Sequence, residues 1–214
     1  MQRYADRTDA GARLAEELEP VLRDAPDPMI LAVPRGGVVI GDVVAEALGL
    51  PLDVLVVEKI GHPSNPELAV GAVGEKDALW LDELTAGRLD PEALQARIER
   101  ERQELEAKLR LIRAVRPRVP VEGRTAVVVD DGVATGATVR AALLALREAR
   151  PAGRVLAVPV GPPETLHHLE RIADAIVCPL RPRAFYAVGQ WYEVFGQVSD
   201  DEVLSIIKRH RPEY

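Results

Sequence analysis

The chain is poor in several residue types. It has one cysteine, Cys178, one asparagine, Asn65, and eight aromatic residues among 214. A single cysteine excludes an internal disulfide framework and a cysteine-based zinc finger or ribbon. With few aromatics, the core must be aliphatic. No apolar stretch reaches the roughly 18 residues that a membrane helix needs. The opening residues, Met1-Gln2-Arg3-Tyr4-Ala5-Asp6-Arg7, lack the apolar run of a signal peptide. The expectation is a cytoplasmic protein with no membrane attachment. Basic residues are outnumbered, 27 Lys and Arg against 34 Asp and Glu, for a formal net charge of -7. That balance argues against nucleic acid as a general partner. Lysine is scarce even among the bases, four against 23 arginines. Scarce Asn and Cys suit a heat-adapted protein, although a GC-rich genome produces a similar bias.

What is present is globular. Hydrophobic residues make up 47% and charged residues 29%, and a chain of this length can bury roughly 70% of its unfolded surface. Short β-branched runs at 29–33, 52–57, 125–129, 155–160 and 173–177 suit strands buried on both faces of a parallel sheet. Helical patterns separate them at 8–22, 38–48, 137–150 and 163–172. This alternation predicts an α/β fold, a parallel sheet with helices on both faces and a ligand site beyond the carboxyl ends of the strands.

Two segments break the pattern. Residues 76–120 are highly charged and read as a helical insertion into a core of about 1–75 and 121–180. Asp90 is placed to cap its long helix, with Pro91 at the first position. Leu94, Ile98, Leu105, Leu109 and Ile112 form its apolar stripe, and Glu104 with Lys108 and Glu106 with Arg110 are favourable pairs one turn apart. Residues 181–214 read as a small C-terminal cap within the same single domain. The cap holds six of the eight aromatics, Phe185, Tyr186, Trp191, Tyr192, Phe195 and Tyr214, and a capping box, Ser199 to Glu202, opens its last helix.

The chemistry concentrates in Thr125-Ala126-Val127-Val128-Val129-Asp130-Asp131-Gly132-Val133-Ala134-Thr135-Gly136-Ala137-Thr138. A hydrophobic strand runs into two adjacent carboxylates, then a small-residue loop with two hydroxyls, then a helix. Backbone N–H groups with the Thr135 and Thr138 hydroxyls at a helix N-terminus make a natural phosphate cradle. Gly136 permits close approach, and Ala134 and Ala137 leave room. Asp130 and Asp131 repel a phosphate but suit sugar hydroxyls or a magnesium ion. A Walker loop is excluded because no Gly-Lys-Ser/Thr occurs, and the three-glycine dinucleotide fingerprint is missing.

The segment 127–138 resembles the 5-phosphoribosyl-1-pyrophosphate (PRPP) signature of the type I phosphoribosyltransferases. Supporting loops agree in order. Val33-Pro34-Arg35-Gly36-Gly37 follows the first core strand, where that family has its pyrophosphate loop, often with a cis peptide between non-proline residues. Lys59, in Glu58-Lys59-Ile60-Gly61, stands where relatives carry a basic residue that reaches pyrophosphate. A longer resemblance, through the segments 59–73, 130–138 and 187–192, is to a group of predicted phosphoribosyltransferases whose substrate is unsettled.

The resemblance implies displacement of pyrophosphate from C1 of magnesium-bound PRPP by a nitrogen nucleophile, a nucleobase or a related acceptor. It gives Asp130 and Asp131 the catalytic place at the ribose hydroxyls and Ala134, Thr135, Gly136, Ala137 and Thr138 the 5-phosphate. Arg35, Gly36, Gly37 and Lys59 take the pyrophosphate. Mg2+ is the implied cofactor, carried by PRPP near the two acids rather than held in a direct protein site. A homodimer is compatible with the family.

One position departs. The oxopurine enzymes carry an Asp just before Thr-Gly, and here that residue is Ala134, as the small residue is in the adenine and orotate enzymes. Conversely, 185–192 resembles the segment by which the oxopurine enzymes stack on their base, which makes Phe185 and Tyr186 candidates for acceptor stacking. The family's closing loop should lie between the second and third core strands, where Lys76, Arg110 and Arg113 are candidates. His62 is a further candidate for substrate contact. His167 and His168, adjacent on a helix, point in different directions and suggest no metal site. Two other functions compete with transfer: a non-catalytic PRPP or nucleotide sensor, and a phosphosugar phosphoesterase, which lacks a nucleophile or a multi-ligand metal site. Against the net acidity stands a local excess, since 108–118 holds five basic residues and no acid.

Overall fold

A computed structural model describes residues 3–210, except for the side chains of 65–68. Tyr214 and the side chains of Asn65, Pro66, Glu67 and Leu68 therefore lie outside the described residues. The chain forms α1 (Arg7–Leu22), β1 (Met29–Ala32), α2 (Gly36–Leu48), β2 (Leu52–Val54), β3 (Val57–His62), β4 (Asn65–Gly74), β5 (Leu79–Leu81), α3 (Glu83–Ala86) and α4 (Pro91–Val115). There follow β6 (Thr125–Val129), α5 (Ala137–Ala145), β7 (Gly153–Ala157), α6 (Pro163–Leu169), β8 (Ala175–Val177) and α7 (Asp200–Arg209). Five parallel strands form the expected sheet in the order β2-β1-β6-β7-β8. Along each strand successive side chains leave opposite faces. Ile30, Ala32, Val127 and Val129 enter one apolar cluster with α1, α2 and α7, while Met29, Leu31, Ala126 and Val128 enter another with α5 and α6. The sheet is thus covered on both sides, which is why its strands read as continuous apolar runs.

The second expected strand, 52–57, is not one element. The parallel strand ends at Val54, and Val57 begins a separate antiparallel sheet in the order β3-β4-β5. Residues 57–74 therefore belong spatially with the segment expected at 76–120, and the departure from the core begins nearly twenty residues earlier than expected. Pairing explains it: β3 and β4 register on each other from Val57–Gly74 to His62–Asn65, and the hairpin packs between α4 and α5.

The long helix forms as its sequence predicts. The Asp90 side chain accepts from the Ala93 amide at 2.8 Å, and Ile98, Leu105 and Ile112 are buried along the stripe. The expected Glu104–Lys108 pair is replaced, because the helix lies beside β3 and Lys108 reaches Glu58 at 2.6 Å. At its C-terminal end Arg113 pairs with Asp53 at 2.7 Å and with Glu75 at 2.5 Å. Arg116 lies 3.8 Å from Asp53, and Arg118 lies 3.3 Å from Glu75. Asp53, 1% exposed, also accepts from the Val54 and Val119 amides. Four of the five bases of 108–118 are thus matched by acids brought from elsewhere in the chain. Among the described residues no helix is long and apolar enough to cross a membrane.

Candidate functional site

In the strand order β2-β1-β6-β7-β8 the direction of winding reverses between β1 and β6. In open α/β sheets such a switch point leaves a crevice beyond the strand ends, because the loops on its two sides lead to opposite faces. The loop after β1 is Val33 to Gly37, and the loop after β6 is Asp130 to Gly136. The Val33 amide donates to the Val129 carbonyl at 2.8 Å, so both loops start from one hydrogen-bonded level.

Their glycines set how close they come. A Cβ at Gly37 would lie 2.6 Å from the Val129 carbonyl oxygen, and one at Gly36 would lie 1.9 Å from Asp131 Oδ2. Only hydrogen fits at either place. The peptide between Pro34 and Arg35 is cis, the feature implied for this loop. Opposite, Gly136 takes φ 74°, a left-handed value open to glycine, and leads directly into α5. The Thr165 hydroxyl donates to the Ala134 carbonyl at 2.8 Å and holds the loop from α6. Ala134, Thr135 and Thr138 are exposed beside the first turn of α5, whose amides lack acceptors within the helix. The N-termini of α2 and α5 therefore both open at the switch point, a place suited to anions.

Asp130 and Asp131 open the second loop and face Gly37 and Gly36 of the first. Asp130 Oδ1 accepts from the Asp131 amide at 2.8 Å. Burial, and then the Asp131 charge, push the Asp130 carboxyl well above the usual carboxylate range. Burial also raises Asp131, against the opposing pull of Arg7. Arg7, the first residue of α1, donates to Asp131 Oδ2 from Nε at 3.0 Å and from a terminal nitrogen at 2.8 Å. The Tyr192 hydroxyl donates to the Asp131 carbonyl at 2.5 Å. Neither partner was anticipated from sequence. Both come from far along the chain and leave no local pattern.

A cavity of about 580 Å³ adjoins the loops. Pro34, Arg35 and Thr138 form one side, and Glu58, Lys108 and Asp200 are its other charged residues. Arg35 faces Asp200 across it at 3.7 Å. Of the two neighbours on β3, Glu58 rather than Lys59 lines the cavity.

The cap lies over the acid loop, and a Cβ at Gly132 would meet Val188 Cγ1 at 2.6 Å. Phe185 is half-buried and stacks on Trp191 with ring centroids 6.2 Å apart, whereas Tyr186 is 90% exposed. Of the closing-loop candidates, Arg113 is tied to Asp53 and Glu75, and Arg110 reaches the Glu106 carbonyl of its own helix. His62 Nδ1 accepts from the Ser64 amide within the hairpin turn, and His167 pairs with Glu170.

Two acids and two glycine-bearing loops at the switch point of a five-stranded parallel sheet define the class. The chain belongs to the phosphoribosyl transferase domain family, which it matches over residues 4–179. It is 44% identical over 214 residues to a Mycobacterium tuberculosis protein, from strains H37Rv and CDC 1551, provisionally named a phosphoribosyl transferase. That alignment covers 99% of this chain and 48% of the relative, so the chain spans about half the length of the curated proteins it matches. The crystal structure of TT1426 from Thermus thermophilus superposes with a TM-score of 0.92 at 42% identity, covering 99% of this chain and all of the other. The AQ2163 protein of Aquifex aeolicus, 11% identical with a TM-score of 0.51 over 86% of this chain and 78% of its own, shares the fold.

Proposed function

We propose that the chain transfers the 5-phosphoribosyl group of magnesium-bound PRPP to a nitrogen nucleophile, a nucleobase or a related acceptor, with release of pyrophosphate. One observation carries this reading: two glycine-bearing loops, each leading into a helix, face each other at the switch point, and the second opens with a pair of acids. A ligand with a phosphate, a vicinal diol and a pyrophosphate in sequence uses all three features. Ala134 to Thr138 receive the 5-phosphate on amides and hydroxyls. Asp130 and Asp131 accept from the ribose hydroxyls. Arg35, Gly36 and Gly37 receive pyrophosphate, and Lys59, which does not line the cavity, is given no part in holding it.

The residues fit magnesium that arrives with the ligand. Asp131 has one oxygen committed to Arg7, and neither of the described groups dense enough to hold an ion alone, Asp42 with Glu46 and His210 or Glu58 with Glu101 and Glu104, includes Asp130 or Asp131. Magnesium commonly takes one or two carboxylates and completes its shell with substrate phosphates and water. Bound in this way it offsets the charge of the leaving pyrophosphate. The protein positions the reactants: the bond from C1 to pyrophosphate oxygen breaks, a bond from C1 to nitrogen forms, and the proton lost by the nitrogen passes to the released pyrophosphate or to water. Positive charge gathering on the sugar is favoured by the adjacent acids, and helix N-termini favour the departing anion. Phe185 and Tyr186 are assigned to the acceptor from their place in the cap. Trp191 occupies one face of Phe185, so Tyr186 offers the more open ring.

The test is pyrophosphate release from magnesium-PRPP with a panel of purines, pyrimidines and small amines. Release with one acceptor class, abolished by Asp130→Asn with Asp131→Asn, is the expected result. Tight PRPP binding without release for any nucleophile replaces transfer with the sensor reading.

A further inference from the structure

Arg7 has no part in the family signature, yet it is the side chain most fully engaged with the acid pair. Two of its nitrogens donate to one oxygen, Asp131 Oδ2, at 3.0 and 2.8 Å. The third donates to the Gly196 carbonyl at 2.8 Å, and the guanidinium carbon stands 4.0 Å from the centre of the Phe195 ring. The Arg7 and Asp131 side chains are 12% and 15% exposed, so water competes weakly for the pair.

The surrounding backbone gives the contact a purpose. Tyr4 donates to the Trp191 carbonyl, Glu193 to the Tyr4 carbonyl, and Val194 to the Ala5 carbonyl, at 2.8 to 2.9 Å. Two segments far apart in sequence, around 4–7 and 191–196, are thus zipped together over the acid turn. Tyr192 grips the backbone of Asp131, and Arg7 grips its carboxylate. On the other side Gly36 stands so close that an added Cβ would fall 1.9 Å from the same Oδ2. The carboxylate is therefore fixed between a cation and a glycine. Both donors take Oδ2, which leaves Oδ1 as the oxygen for an incoming hydroxyl.

We propose that Arg7 is a positioning residue of the ribose site. Its guanidinium holds Asp131 in one orientation and couples that orientation to the ordered 192–196 segment. The inference rests on the reading that Asp131 meets the sugar, so its test separates sugar binding from pyrophosphate binding.

Calorimetric titrations of wild type, Arg7→Gln and Arg7→Lys with magnesium-PRPP and, separately, with magnesium-pyrophosphate provide that separation. Arg7→Gln is expected to weaken PRPP about ten- to a hundredfold, the scale of a lost charged hydrogen bond, and to leave pyrophosphate within about twofold. Arg7→Lys retains the cation without the fork, so it recovers part of the loss. It also keeps the inference testable where Arg7→Gln does not fold. In an Asp131→Asn background Arg7→Gln should add little, because its target is already gone. Equal weakening of both ligands, unchanged PRPP binding by folded Arg7 variants, or an undiminished effect in the Asp131→Asn background each overturns the inference. Wild-type protein that binds pyrophosphate but not PRPP overturns the ribose-site reading and this inference with it.

Discussion

The two glycines after β1 are adjacent in sequence, yet their replacement should damage different properties. A Cβ at Gly37 would stand 2.6 Å from the Val129 carbonyl oxygen and 2.8 Å from Asp130 Cα. Both are backbone atoms, so no side-chain rotation relieves the clash, and the loop must part from β6. Overpacking of this kind costs about 1–3 kcal/mol. Alanine returns at most about 1 kcal/mol through helix preference, and less here, since Gly37 lies in the first turn of α2. The net loss of about 1–2 kcal/mol corresponds to a fall in Tm of roughly 2–8 °C for a chain of this size. At Gly36 the obstruction is a side chain: the added Cβ meets Asp131 Oδ2 at 1.9 Å and Cγ at 2.5 Å. Asp131 can swing away, so Tm should fall less. The carboxylate must retreat from its place, and losing a hydrogen bond to a charged group costs about 1.5–3 kcal/mol, roughly ten- to a hundredfold in affinity. Thermal melts of Gly36→Ala and Gly37→Ala, with magnesium-PRPP titrations of each, compare the two. Gly37→Ala should lose the greater stability, and Gly36→Ala should lose affinity out of proportion to its melting temperature. A Gly37→Ala protein that melts with wild type, or a Gly36→Ala protein that binds as wild type does, refutes the packing argument.

Three further outcomes follow from burial and charge. Because the folded state raises the Asp130 pKa, it favours the protonated form; that contribution is full below the unfolded value of about 3.9 and is lost as pH rises toward the folded value. Asp130→Asn, which cannot ionise, should therefore match wild type in Tm near pH 4 and exceed it near pH 7, and a difference independent of pH would contradict this. Asp53→Ala leaves Arg113 and buried Arg116 without their shared carboxylate. Urea unfolding should show a loss of about 3–5 kcal/mol, and a loss under about 1 kcal/mol would mean that the pair contributes little. Tyr192→Phe removes only the hydroxyl that donates to the Asp131 carbonyl, so it should cost about 0.5–1.5 kcal/mol, with fold retained by circular dichroism.

The parallel sheet was legible because its signal is local. The apolar run of β6 ends at Val129 in sequence and structure alike, and the Asp90 cap starts α4 where its side chain allows. The antiparallel sheet was missed because 52–57 reads as one strand, whereas the chain changes sheets after Val54. A signal was present: two apolar runs flank His62-Pro63-Ser64-Asn65-Pro66, and such punctuation marks a hairpin. Arg7 offered no comparable signal, since its partner lies 124 residues away. The same blindness to long-range pairing affected the charge argument. The basic run 108–118 invited assignment to an anionic ligand, but folding gives its charges to Glu58, Asp53 and Glu75. Charge adjacent in sequence is therefore a poor guide to charge available at a site. Under the proposed reading, a chain of net charge -7 meets a polyanion without drawing on the 108–118 run, because helix N-termini and glycine-exposed amides supply oriented partial charge at the switch point.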